Sequence, residues 1–144
     1  MIPPFNIDGD LFPGLHRASW EQFHSRYCIF AGSYRRLKLC DQIRQLIDQA
    51  RKSGIVERLI FGGSFITATQ EPNDFDVPVI LRSGTKVSRV RPEDQRLVYG
   101  RLARRAFGGD IFPIIEGSAG LQEAIAFFSK SRSGKEVGLV EVIL

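Results

Sequence analysis

The chain has 144 residues, of which 43% are apolar, 10% aromatic and 25% charged. That is enough apolar surface for one globular core without covalent staples, and too short a chain for a second independent domain, so a single domain over residues 1–144 is expected. Twenty Lys and Arg against sixteen Asp and Glu give a net charge of +4, which favours an anionic partner, while no apolar run approaches the roughly 18 residues of a membrane span.

Met1-Ile2-Pro3-Pro4-Phe5 lacks the charged-then-apolar order of a signal peptide, so a cytoplasmic protein is expected. Residues 1–15, with Pro3, Pro4, Pro13, Gly9 and Gly14 among Phe5, Leu11, Phe12 and Leu15, read as an extended arm held down by its apolar side chains. Ser19-Trp20-Glu21-Gln22 offers a capping box for a short helix from about Trp20 to Tyr27. Leu39, Ile43, Leu46, Ile47 and Ala50 recur at helical spacing and predict a longer helix over about Tyr34–Lys52, stopped by Gly54. Cys28 and Cys40 fall in these helical stretches without a C-x-x-C pair or a metal-like cluster, and read as reduced thiols of a cytosolic protein.

Beyond Gly54, Val56–Phe61 reads as a strand entering a tight turn at Gly62-Gly63, and Phe75–Leu81 as a second strand. Pro78 would put that strand at an edge or in a bulge, since it removes a ladder donor. Pro92-Glu93-Asp94 predicts the start of a helix whose stripe of Val98, Leu102 and Ala106 runs to Phe107, with Gly108-Gly109 ending it. Asp110–Ile115 is a third strand, Leu121–Ser129 a short helix and Val137–Leu144 a final strand. The fold class is α+β: an α/β sandwich with helices packed on a mixed sheet of about four strands.

One order of residues carries chemistry. Gly62-Gly63-Ser64 follows the first strand, Asp74-Phe75-Asp76 opens the second and Asp110 opens the third. Glycines after a strand let a backbone approach a ligand, and the amides of a following helix start, with Ser64, suit a phosphate. Alternate strand residues share a face, so Asp74 and Asp76 aim two carboxylates together while Phe75 turns to the core. Mg²⁺, or Mn²⁺, is held by such carboxylates together with substrate phosphates, and Asp110 would add a third ligand. The same residues have simpler readings: Asp74 after Pro72-Asn73 and Asp110 after Gly108-Gly109 both suit turns, and Ser64 suits a helix cap. Lys86, Arg89 and Arg91 follow the carboxylate strand and either meet a triphosphate tail or form a solvated loop. Arg101, Arg104 and Arg105 read as a charged helix face. His16 and His24 read as packing residues.

This order resembles the polymerase β-like nucleotidyltransferases, in which a Gly-Ser ends one strand, D-x-D lies about ten residues later and a third Asp stands on a further strand. Gly63 and Ser64, Asp74 and Asp76, and Asp110 are the matching positions. The opening Pro13-Gly14-Leu15-His16-Arg17-Ala18-Ser19-Trp20 and the ending Gly138-Leu139-Val140-Glu141-Val142-Ile143-Leu144 look like a small bacterial family within that superfamily. The resemblance implies a minimal nucleotidyltransferase fold that moves a nucleoside monophosphate from a nucleoside triphosphate to an acceptor hydroxyl. Asp74, Asp76 and Asp110 would be the catalytic and metal-binding residues, and Gly62, Gly63, Ser64 and Lys86 the nucleotide-binding ones. It also implies an acceptor wall supplied by a homodimer mate or a separate helical partner protein, as in toxin–antitoxin pairs, with the acceptor hydroxyl on a protein or an RNA. The apolar last strand points the same way, since a short chain has little to cover it. Phe65-Ile66-Thr67-Ala68 departs from the pattern, being apolar where such proteins often carry a basic or small residue and a second Gly. It leaves open the rival reading of a catalytically degenerate module that binds nucleotide, RNA or protein.

Overall fold

In a computed structural model that describes residues 1–29 and 32–144, the chain builds a five-stranded mixed sheet with four α-helices. Its elements are β1 (Gly14–Ala18), α1 (Trp20–Tyr27), α2 (Tyr34–Ser53), β2 (Val56–Phe61), β3 (Asp76–Leu81), α3 (Gly100–Phe107), β4 (Asp110–Ile115), α4 (Ala119–Phe128) and β5 (Gly138–Ile143). Strand order is β1-β5-β2-β3-β4, with β1 parallel to β5, β2 antiparallel to both β5 and β3, and β3 parallel to β4.

The fifth strand corrects the expectation of about four. Residues Gly14–Ala18, at the edge of what reads as an arm, pair with Gly138–Val142. Nothing local marks this strand, because its hydrogen-bonding partner lies more than a hundred residues away. The rest of the arm is held as expected at the buried Leu11 and at Phe5, which packs partly buried against the core, and also by buried Ile2, whereas Phe12 and Leu15 are exposed. Arg26 reinforces it by donating to the carbonyls of Ile2 and Pro3. Because β5 lies between β1 and β2, neighbouring strands account for its apolar character, and that character no longer calls for a partner.

Both halves of the capping box form, with Ser19 Oγ accepting from the Gln22 amide and Gln22 Oε1 from the Ser19 amide. Leu39, Ile43, Leu46, Ile47 and Ala50 are all buried along α2, which ends at Gly54 with a φ of 71°. The expected helix over 92–107 is interrupted. A 3-10 stretch runs from Pro92 to Leu97, the chain extends at Tyr99, and α3 starts only at Gly100. Two inward anchors explain the break. Leu97 and Val98 are both buried, and the buried Asp94 carboxylate turns in to accept from Gln49 and Arg91.

Cys28 and Cys40 form a disulfide, with Cα atoms 5.7 Å apart, which corrects the reading as reduced thiols. Cys28 caps α1 and Cys40 lies early in α2, so packing of the two helices brings together side chains that a spacing of twelve does not reveal. The disulfide also removes the ground on which a cytosolic setting was expected, since such bonds persist mainly in oxidising compartments. Among the described residues, no helix is long and apolar enough to cross a membrane.

The sheet has two unlike faces. Phe61 points to one, where its ring meets Phe23 of α1 at 4.7 Å. Gly62 points to the other, facing Phe128 of α4. The first face carries α1, α2 and most of the core. The second carries α4 and an ion network in which buried Glu141 pairs with Arg17 and Arg58, and Arg58 with Glu116. Pro78 is accommodated because the β2–β3 ladder stops at Val79 and resumes only as an isolated bridge between Gly62 and Asp76.

Candidate active site

Register brings the carboxylates together. Asp76 opens β3 and Asp110 opens β4, and the two are direct partners across parallel strands. The Gly108-Gly109 turn makes this pairing possible. A Cβ on Gly109 would stand 2.3 Å from the Phe75 ring, so only glycine lets α3 return to β4 over Phe75, and the Asp110 amide then donates to the Phe75 carbonyl at 3.0 Å. Asp74 lies two residues before Asp76, outside the strand, and reaches the same cluster through a shared cation: Arg104 of α3 donates to Asp74 Oδ2 at 3.1 Å and to Asp110 Oδ1 at 3.2 Å.

The glycine turn after β2 closes against the same group. The Gly62 amide donates to the Asp76 carbonyl at 3.1 Å. Gly63 has a φ of 78°, and a Cβ there would lie 2.6 Å from Asp76 Oδ2, so this position needs glycine both for its conformation and for the space beside the carboxylate. Ser64 begins a single 3-10 turn, Ser64–Ile66. That corrects the expectation of a helix start: three residues offer no aligned dipole of useful length, and any grip on phosphate must come from Gly63, Ser64 and nearby cations.

Behind the turn sits Arg36, fully buried, donating to the carbonyls of Phe65, Thr67, Thr69 and Tyr27. Burial lowers its pKa from the ordinary arginine value, offset by Tyr27. The loop that looks too apolar in sequence is thus pinned from beneath by a guanidinium thirty residues upstream.

The cluster is short of positive charge. Burial first, then the charges of Asp74 and Asp110, push the Asp76 carboxyl up from 3.8 to about 6, against the opposing pull of Arg104 and Arg132. Arg104 and Arg132 are the site residues that sequence reading missed. In sequence Arg104 reads as one of three solvated helix arginines, because which face of α3 meets β4 depends on the break before Gly100. Arg132 lies in the turn after α4, with no motif around it.

Lys86 is not part of the group. It follows β3, whose five steps from Asp76 to Leu81 span ~17 Å, and it lines a groove of about 480 Å³ with Ile55, Arg89, Arg91 and Asp94. Ile55 precedes β2 and accepts from the Arg82 amide, which fixes this groove at the opposite end of the sheet from Asp76.

Among the described residues, no three His, Cys, Asp or Glu side chains stand as a ready metal ligand set, and Arg104 lies between two of the three carboxylates. The donor chemistry nevertheless fits Mg²⁺ or Mn²⁺. All three groups are hard carboxylate oxygens, Gly63 leaves open beside Asp76 the space a Cβ would fill, and a cation, the Arg104 guanidinium, already bridges the other two.

A family described as being of unknown function, DUF6932, matches residues 3–143. The chain belongs to that family. No curated protein and no solved structure matches it.

Proposed function

We propose that this member of DUF6932 is a metal-dependent nucleotidyltransferase with a minimal version of that fold. In this reading it moves a nucleoside monophosphate from a nucleoside triphosphate to an acceptor hydroxyl. The observation that carries the reading is the pairing of Asp76 with Asp110 across β3 and β4, with Gly63 against the Asp76 carboxylate. The Gly-Ser, D-x-D and third Asp that resemble the superfamily in sequence thereby meet at one end of the sheet.

Asp74 and Asp76 would hold Mg²⁺ or Mn²⁺, which supplies Lewis-acid polarisation and neutralises phosphate charge. Gly63 and Ser64 place the triphosphate against the carboxylates, and Arg132 offsets its charge from the α4 side. Asp110 accepts the proton of the acceptor hydroxyl as that oxygen bonds to the α-phosphorus. The bond from the α-phosphorus to the bridging oxygen breaks, and pyrophosphate leaves. Among the described residues, α4 is the helix that packs on the sheet face shared by these groups, where Phe112 and Phe127 are exposed, so a second copy or a helical partner protein would complete the acceptor wall.

One observation favours a second reading, a nucleotide- or RNA-binding module without chemistry: Arg104 already pairs with both Asp74 and Asp110. Pyrophosphate release from the four ribonucleoside triphosphates separates the two, with Mg²⁺ or Mn²⁺ present and the protein itself and bulk RNA offered as acceptors. An enzyme releases pyrophosphate, and Asp110→Ala lowers the rate ~10²-fold or more, the scale of a lost acid–base group. A module releases none and binds RNA with a steep salt dependence and no need for metal.

A further inference from the structure

One arginine, Arg104, stands against the carboxylate cluster. Arg104 is half-exposed, as is Asp110, and Asp74 is partly so. Exposed ion pairs of this kind contribute little and exchange readily. Its neighbours on α3, Arg101 and Arg105, make no ion pair with the carboxylates among the described residues, although all three carry the same charge on the same helix. The position of Arg104, not the charge of the helix, therefore sets the contact. One guanidinium nitrogen, Nη1, donates to both of the carboxylates that flank Asp76.

We propose that Arg104 is a resident counter-ion that exchanges its place for a divalent cation and, once released, becomes a ligand for the phosphates of the nucleoside triphosphate. The inference rests on the nucleotidyltransferase reading and deepens it, by assigning the site an arginine that neither the motif nor the resemblance supplies. Physically, Asp74 Oδ2 cannot both accept from Arg104 Nη1 and take part in a metal coordination sphere, since a small hard cation needs its carboxylate oxygens at ~2.0–2.1 Å. Release costs little at this exposure. A freed guanidinium beside a triphosphate gains planar, charge-assisted hydrogen bonds to phosphate oxygens, the geometry for which arginine is suited. Arg104 would thus link metal loading to nucleotide binding: each makes the other easier.

The test is Mn²⁺ binding without nucleotide, measured by calorimetry on the intact chain and on Arg104→Gln, with Arg105→Gln as a variant of equal charge on the same helix. Arg104→Gln should bind Mn²⁺ about threefold to tenfold more tightly than the parent, the scale of one or two partly exposed ion pairs, and Arg105→Gln less than about twofold. In saturating Mn²⁺, Arg104→Gln should then bind a non-hydrolysable triphosphate more weakly than the parent. Equal gains in the two variants would reduce the effect to long-range charge and overturn the proposal. So would unchanged Mn²⁺ affinity in Arg104→Gln beside measurable binding by the parent, a result that leaves the nucleotidyltransferase reading standing. Absence of Mn²⁺ binding in all three proteins would overturn both.

Discussion

Asp76→Asn should make the protein more stable at neutral pH while abolishing its proposed activity. The folded state raises the Asp76 carboxyl from 3.8 to about 6, so the fold binds that proton more tightly than the unfolded chain does. Stability from this source is fully present below about pH 3.8 and is lost as pH rises through about 6. Above that, the ionised carboxylate costs the fold about 3 kcal/mol at 1.36 kcal/mol per pH unit; Asp76 is only half-buried, and solvent screening trims the figure to about 1–2 kcal/mol. Urea or thermal unfolding at pH 7.5 should therefore show Asp76→Asn more stable than the parent by that amount, about 3–8 °C in Tm for a chain of this size. At pH 3.5 the two should coincide. Millimolar Mg²⁺ should narrow the gap at pH 7.5 by stabilising the parent alone. A variant less stable than the parent at pH 7.5, or a gap that persists unchanged at pH 3.5, would refute the account of a carboxylate cluster short of positive charge.

Two further outcomes test the scaffold. Thiol titration of freshly purified, denatured protein without reductant should find no free thiol, and Cys28→Ser should lose about 2–3 kcal/mol of stability, as expected for a bond that closes a loop of sequence separation 12; two reactive thiols would contradict the pairing. Arg36→Met should cost at least about 3 kcal/mol in denaturant unfolding because it strands the carbonyls of Phe65, Thr67 and Thr69, and Arg36→Lys should recover only part, since one ammonium cannot span what a guanidinium fork spans. A loss under about 1 kcal/mol would show that the loop after Ser64 holds itself.

What the sequence made legible was local. The Ser19–Gln22 box, the apolar stripe of α2, the stop at Gly54 and the strands β2 to β5 are each marked by residues within one element. The order Gly63-Ser64, Asp74, Asp76, Asp110 was equally readable, but the strand alternation expected to aim Asp74 beside Asp76 does not apply, because β3 begins at Asp76 and Asp74 reaches the group through Arg104. The missing parts depend on partners far along the chain. β1 takes its hydrogen bonds from β5, Cys28 finds Cys40 only after α1 packs on α2, and Arg36 meets loop carbonyls thirty residues on. Arg104 and Lys86 changed places for the same reason. Both are cations near an Asp in sequence, and only the sheet's direction decides that β3 carries Lys86 away from Asp76 while α3 returns Arg104 to it.

The most direct test of the central claim is titration calorimetry of a non-hydrolysable nucleoside triphosphate into the parent and Asp76→Asn, each with and without Mg²⁺. A site built from Asp74, Asp76 and Asp110 predicts binding to the parent that depends on Mg²⁺, and loss of that dependence in Asp76→Asn. Equal affinity with and without Mg²⁺ in the parent, or Mg²⁺-dependent affinity unchanged by the substitution, would contradict it.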